Sequence, residues 1–411
     1  MSLSLEARMV EGGLIGDPYF EGVSRFREDP VVVPARDYEA MARVAERLVQ
    51  VHDEAARIVA GDESHLDDFF ELTPCQKLLW HESSPFWHGY ARADIFDTRD
   101  GFVACELNSD TPTGHAEALA LSALVRDPSG KTYDPNARLA AAHLDMFEAY
   151  AESRLGTGFP RTAGIVYPTD LTEDLPLVRL FQGWLESRGF EVVTGSPFNL
   201  SLGTDGRPTL FGTPCSLVVR HYKTDWWTER VPVWQGDPPF DDPLPLTGPL
   251  EVLARAELSK KAVVVNPFGA VLTQNKRMLA FFWENMDLFS EESQSAILAH
   301  VPETVRLESA HLSQLSVERE SWVLKSDYGC EGDEVVLGWE LAQSEWDRAL
   351  ALAQPGRWVA QRRFFPRPTA RGETINHGMY VVGGKAAGLY VRAHEGATDR
   401  HAISAAAWVT P

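Results

Sequence analysis

The sequence predicts an α+β protein, and three observations carry that prediction. Residues 162–194 run strand, helix, strand, which is the pattern of a βαβ unit. The C-terminal third holds a series of short apolar and β-branched runs, at 322–325, 334–337, 358–362, 375–382 and 386–392, which reads as a set of antiparallel strands. No GxGxxG motif follows a first strand, which argues against a dinucleotide-binding doubly wound domain.

The elements follow in order. Met41, Val44, Leu48, Val51 and Ala55 recur at steps of three and four and predict a helix over 37–60. Residues 92–97 and 102–108 read as two strands joined by a turn at Arg99, Asp100 and Gly101. A second helix, rich in Ala and Leu, is expected over 137–154. In the βαβ unit, strands at 163–167 and 190–194 flank a helix at 177–188 that Gly189 stops. A hairpin turn at 203–206 and a strand at 216–220 come next. Residues 235–248, rich in Pro, Asp and Gly, read as a loop and a boundary. A β-branched run at 262–266 and a helix over 274–284 lead into the C-terminal strands. The expected divisions are a helical segment at 1–75, a hairpin and helix unit at 76–160, an α/β unit at 161–248 and a strand-rich unit at 249–411.

Composition narrows the function. The formal charge of −21 would repel nucleic acid on average and leaves room only for local basic pockets. No apolar run approaches the roughly 18–20 residues of a membrane span. Residues 1–13 carry charges and no apolar stretch, so no secretory signal is expected there. The four cysteines form no CxxC pair, which argues against a zinc site or disulfide framework and fits a reducing, cytoplasmic setting.

The sharpest feature is Arg92-x-Asp94 set against Glu106-x-Asn108. A hairpin centred on Asp100 places Asp94 opposite Glu106 and Arg92 opposite Asn108, and strand alternation puts all four on one face. Two carboxylates and an amide oxygen so placed suit a hard cation such as Mg²⁺. A solvated polar strand face is the alternative. Cys105 should face away from this set. The polar stretch 109–114 follows, either as a substrate loop or as the cap of the next helix. Further on, Lys325 ends a strand before a loop containing Gly329 and Gly332, a pattern able to hold phosphate or simply to form a hairpin. Lys276 at a helix start, Gln361 in an apolar strand and Arg392 at a strand end each have an ordinary structural reading beside a nucleotide-binding one. Trp226, Trp227 and Trp234 could line an acceptor pocket or pack in the core.

Taken together, the segments RADIFDTRDGFVACELNSDTPTGHAEA, NPFGAVLTQNKRMLAFFWE, WVLKSDYGCEGDEV, WVAQRRFFP and INHGMYVVGGKAAGLYVRAHEGATD resemble, in this order, the synthetase domain of glutathionylspermidine synthase. The resemblance implies a circularly permuted ATP-grasp-like fold with a pre-ATP-grasp-like βαβ domain. It also implies an ATP- and Mg²⁺-dependent ligase that joins a small carboxylate to an amine. By the same resemblance Asp94, Glu106 and Asn108 would hold Mg²⁺, while Arg92 and Arg392 would contact the transferring phosphoryl group. Lys276, Lys325, Gly329 and Gly332 would bind the ATP phosphates, Gln361 would lie near adenine, and Ser109 and Thr111 would approach the acyl substrate. A phosphotransferase with the same nucleotide site and a non-catalytic nucleotide-binding protein are the alternative readings.

Overall fold

The computed structural model describes residues 3–127, 129–229, 233–234, 236, 238, 244–329, 334–396 and 401–411. Helix α1, Ala35–Gly61, is followed by strands β1, Tyr90–Thr98, and β2, Gly101–Asn108, and by helices α2, His115–Leu124, and α3, Leu139–Leu155. Next come β3, Thr162–Val166, α4, Leu175–Ser187, β4, Glu191–Gly195, β5, Leu217–Arg220, and β6, Val263–Val265. The remainder contains α5, Arg277–Glu284, then β7, Thr304–Arg306, β8, Trp322–Ser326, β9, Val335–Leu337, and β10, Trp358–Arg362. Strands β11, Thr374–Val382, β12, Lys385–His394, and β13, Ile403–Ala405, follow these.

These strands form three sheets. A parallel sheet has the order β6-β5-β3-β4. An antiparallel sheet has the order β7-β10-β8-β9. A second antiparallel sheet, β13-β12-β11-β1-β2, joins the predicted hairpin to strands almost three hundred residues away. The expected boundary at residue 248 does not separate the sheets, because β6 lies after it and completes the parallel sheet begun by β3. A β-branched run buried on both faces pairs well in such a sheet, and Val263, Val264 and Val265 are all fully buried.

The five-stranded sheet shows how period two separates packing from chemistry. Ala91, Ala93 and Ile95 of β1, Ala104 and Leu107 of β2, Met379 and Val381 of β11 and Leu389 and Val391 of β12 join one core with α1. That helix contributes Met41, Val44, Leu48, Val51 and Ala55, the stripe read from the sequence. Leu48 is almost wholly buried, so truncating it to Ala would cost about 2–5 kcal/mol. The alternate residues Arg92, Asp94, Asn376 and Arg392 point to the opposite face, away from α1 and into a cleft.

The hairpin pairs as expected at its functional end, with Arg92 opposite Asn108 and Asp94 opposite Glu106. Its turn is tighter than expected, for Thr98 pairs with Gly101 and only Arg99 and Asp100 lie between them. The one-residue difference is taken up at Cys105, where the register shifts between Asp94/Glu106 and Ile95/Ala104. This is a β-bulge, which breaks alternation locally. Cys105, expected to face away, therefore borders the cleft beside Glu106.

Candidate active site

The cleft has a volume of about 1670 Å³ and opens between the two antiparallel sheets. On its floor, Asp94 accepts from Arg92 Nε at 2.8 Å through Oδ1, and from Arg392 Nη2 and Asn376 Nδ2, both at 3.1 Å, through Oδ2. Burial pushes the Asp94 carboxyl upward. The two guanidinium groups and the bonds from Arg92 and Asn376 outweigh it and hold the group down at about 2. Arg92 also donates to the Thr113 carbonyl at 2.9 Å, which ties the loop at 109–114 to the sheet. Tyr380 donates to the same oxygen at 2.8 Å.

Across the cleft, Lys276 stands at the residue before α5, which begins at Arg277 rather than at the expected Gln274. Its Nζ lies 3.3 Å from Glu106 Oε1 and donates to the Gly329 carbonyl. Its backbone N–H donates to the Asp327 carbonyl at 2.9 Å, which ties the chain just before Gly329 to the start of α5. Lys325 of β8 and Gln361 of β10 both reach the Cys105 carbonyl, at 3.4 and 3.3 Å. Gln361 also donates to Thr304 Oγ1 at 3.1 Å. The bulge thus exposes a carbonyl that joins the two sheets. Burial pushes the Cys105 thiol up to about 11, so it stays protonated near neutrality.

Of the residues singled out in the sequence, Arg92, Asp94, Glu106, Asn108, Thr111, Lys276, Lys325, Gly329, Gln361 and Arg392 all line this one cleft. Gly332 lies outside the described residues. Ser109 departs from the expectation. It is fully buried, its hydroxyl 3.0 Å from Thr273 Oγ1 and its N–H bonded to Gln274 Oε1 at 2.7 Å. Alternation after Asn108 turns it behind the cleft wall, where it fastens the loop instead of facing a substrate. The tryptophans divide: Trp226 lines the cleft, Trp227 is core, and Trp234 packs on Trp358.

Sequence reading missed the groups that hold the loop. Arg220, at the end of β5, pairs with Asp110 at 2.6 Å, and both are almost completely buried. Thr224 donates its N–H to the other Asp110 oxygen at 2.7 Å. The Asn266 amide donates to the carbonyls of Tyr90, Ser109 and Asp110 at 2.8, 3.1 and 2.8 Å. The missed signal was the buried-strand context of Arg220, since a charge ending an apolar strand needs a partner. Asn376 was also missed, for nothing in its local sequence marks a contact with Asp94.

Asp94, Glu106 and Asn108 offer oxygen donors from one sheet face, the donor chemistry a hard cation requires. Among the described residues, no group of three or more His, Cys, Asp or Glu side chains could hold a metal ion alone. A magnesium site of this kind relies on phosphate oxygens and water for its remaining positions. No helix among the described residues is long and apolar enough to cross a membrane.

Residues 248–405 match the family described as glutathionylspermidine synthase preATP-grasp. No curated protein matches the chain. Among solved structures, a glutathione synthetase-like effector from Globodera pallida, in its apo form, superposes with a TM-score of 0.58 at 12% identity, covering 99% of this chain and 95% of that one. A putative gamma-glutamylcysteine synthetase from Methylobacillus flagellatus KT gives a TM-score of 0.47 at 12% identity, over 91% of this chain and 87% of that one. The first of these shows the fold, so the chain has an α+β, ATP-grasp-like fold, and its residues 248–405 match the glutathionylspermidine synthase preATP-grasp family.

Proposed function

We propose that the protein is an ATP- and Mg²⁺-dependent carboxylate–amine ligase that forms an amide through an acyl phosphate. The observation that carries this reading is the charge gathered where the two antiparallel sheets meet. Around Asp94 and Glu106 stand Arg92, Arg392, Lys276 and Lys325, four cations to two carboxylates in this one part of a cleft whose whole lining carries both charges. Such a site suits a polyphosphate, and the carboxylates suit the cation that accompanies it.

In this reading Asp94, Glu106 and Asn108 would hold Mg²⁺, which would supply positive charge to offset that of the phosphates. Lys325 from the facing sheet and Lys276 from the start of α5 hold the ATP phosphates beside Gly329. Gln361 lies toward adenine. Arg92 and Arg392 stabilise the charge on the phosphoryl group as a substrate carboxylate oxygen attacks the γ-phosphorus and ADP leaves. Thr111 stands on the substrate side of the cleft, on a loop that Arg92 and Tyr380 fix through the Thr113 carbonyl. The amine then attacks the acyl carbon, phosphate leaves, and the amine releases its proton.

The test is to incubate the pure protein with Mg·ATP and pooled amino acids, short peptides and polyamines, following ADP and free phosphate together. The expected result is phosphate release that requires both an acid and an amine. ADP without free phosphate would identify a phosphotransferase, and failure to bind Mg·ATP would remove the reading altogether.

A further inference from the structure

We infer that Asn376 is a further residue of the cation site, fixing Asp94 with its amide nitrogen and presenting its carbonyl oxygen to the bound cation or to a water on it. The inference rests on the ligase reading above and deepens it.

Asn376 is the third residue of β11, and its backbone partner on β12 is Arg392. Two residues on, Gly378 pairs with Asp94. Residues two apart on a strand share a face, so Asn376 lies diagonally beside Asp94, next to Arg392. Its Nδ2 donates to Asp94 Oδ2 at 3.1 Å, and Arg392 Nη2 reaches the same oxygen at 3.1 Å.

The other end of this carboxamide is the informative one. Asn376 is only 4% exposed and lines the cleft, yet its Oδ1 is buried with no hydrogen-bond partner. A buried acceptor without a donor costs about 1–3 kcal/mol. Turning the carboxamide over would not relieve it, because that would aim a carbonyl oxygen at the Asp94 carboxylate. The orientation is therefore set by Asp94, and the oxygen is left for a ligand. A neutral amide oxygen beside a carboxylate is ordinary cation chemistry, as Asn108 on the same sheet also offers. The geometry makes one side chain do two tasks. It holds a ligand carboxylate in place, and it keeps an unpaired oxygen at the cleft wall.

The experiment measures Mn²⁺ binding by the loss of its free EPR signal, with a non-hydrolysable ATP analogue present, and analogue binding in EDTA separately. Asn376→Ala should weaken Mn²⁺ binding about tenfold or more while leaving analogue binding in EDTA unchanged. Asn376→Asp, which keeps an oxygen donor but loses the amide donor to Asp94, should bind Mn²⁺ more tightly than Asn376→Ala. Wild-type Mn²⁺ affinity in a folded Asn376→Ala protein, even with a lowered melting temperature, would overturn the inference and leave a merely structural role. Loss of Mn²⁺ binding in Asn376→Asp equal to that in Asn376→Ala would overturn the oxygen-donor part. Absence of analogue binding by the wild type would instead defeat the ligase reading on which the inference stands.

Discussion

Two buried charge clusters lie on opposite sides of the loop at 109–114, and they are built differently. Behind the loop, Arg220 and Asp110 neutralise each other, and Arg220 also donates to the carbonyls of Tyr222 and Asn266. Thr224 and Asn266 complete the set. This cluster closes on itself. In front of the loop, the cleft cluster holds more cations than carboxylates and an amide oxygen without a donor. That cluster closes only when an anion and its cation arrive. The lesson is that burial of charge serves two ends in one molecule, rigidity where every group is paired internally and ligand binding where the pairing is left incomplete.

Breaking the rear cluster should have the largest effect. Arg220→Met leaves Asp110 as an unpaired buried charge and should lower unfolding free energy by about 3–5 kcal/mol, read by chemical denaturation. Adding Asp110→Asn should recover part of that loss. Equal stability of Arg220→Met and wild type would show that the rear cluster does not brace the loop.

Breaking the cleft cluster should act on turnover more than on stability. Lys325→Ala removes a cation that faces the bulge carbonyl of Cys105, and phosphate release should fall by about 10²–10³. The denaturation midpoint should move far less than for Arg220→Met. A turnover loss explained wholly by unfolding would erase the contrast between the clusters.

The smallest effect concerns pH. Asp94 is held at about 2 in the folded protein, against roughly 3.9 for a free aspartate. A lowered folded value means that its contribution is complete above the unfolded value and is lost as pH falls through the folded one. Asp94→Asn should therefore be less stable than wild type by about 2 kcal/mol at pH 7, with the gap constant above pH 5 and closing toward pH 2. A gap that widened on acidification would contradict the ion pairing seen with Arg92 and Arg392.

The elements that form the cleft floor were largely legible. Alternation in 90–98 and 101–108 separates Ala91, Ala93 and Ile95 from Arg92 and Asp94, and the structure uses that division directly. The register near the turn was misread because a bulge at Cys105 offsets a tighter turn, and the two errors cancelled at Asp94 and Glu106. Ser109 was misread because a polar residue beside a site can serve the backbone as readily as a ligand. Asn376, and the identity of the partner that Arg220 needs, stood beyond reach. The partners of these two residues lie 282 and 110 residues away, and no local period connects such positions.

The sequence by itself determined the alternation that divides each strand into two faces, the stretches that form helices, and the short stretches that carry charge. These follow from backbone geometry, whose side-chain periods are local. Only the tertiary structure decided that β1 and β2 join β11 and β12, that Lys325 and Gln361 face them from another sheet and Lys276 from a helix start, and which polar groups find partners. Those outcomes depend on how whole sheets pack against each other, because an ion pair or an unpaired oxygen exists only once distant strands have been brought to within a few ångströms.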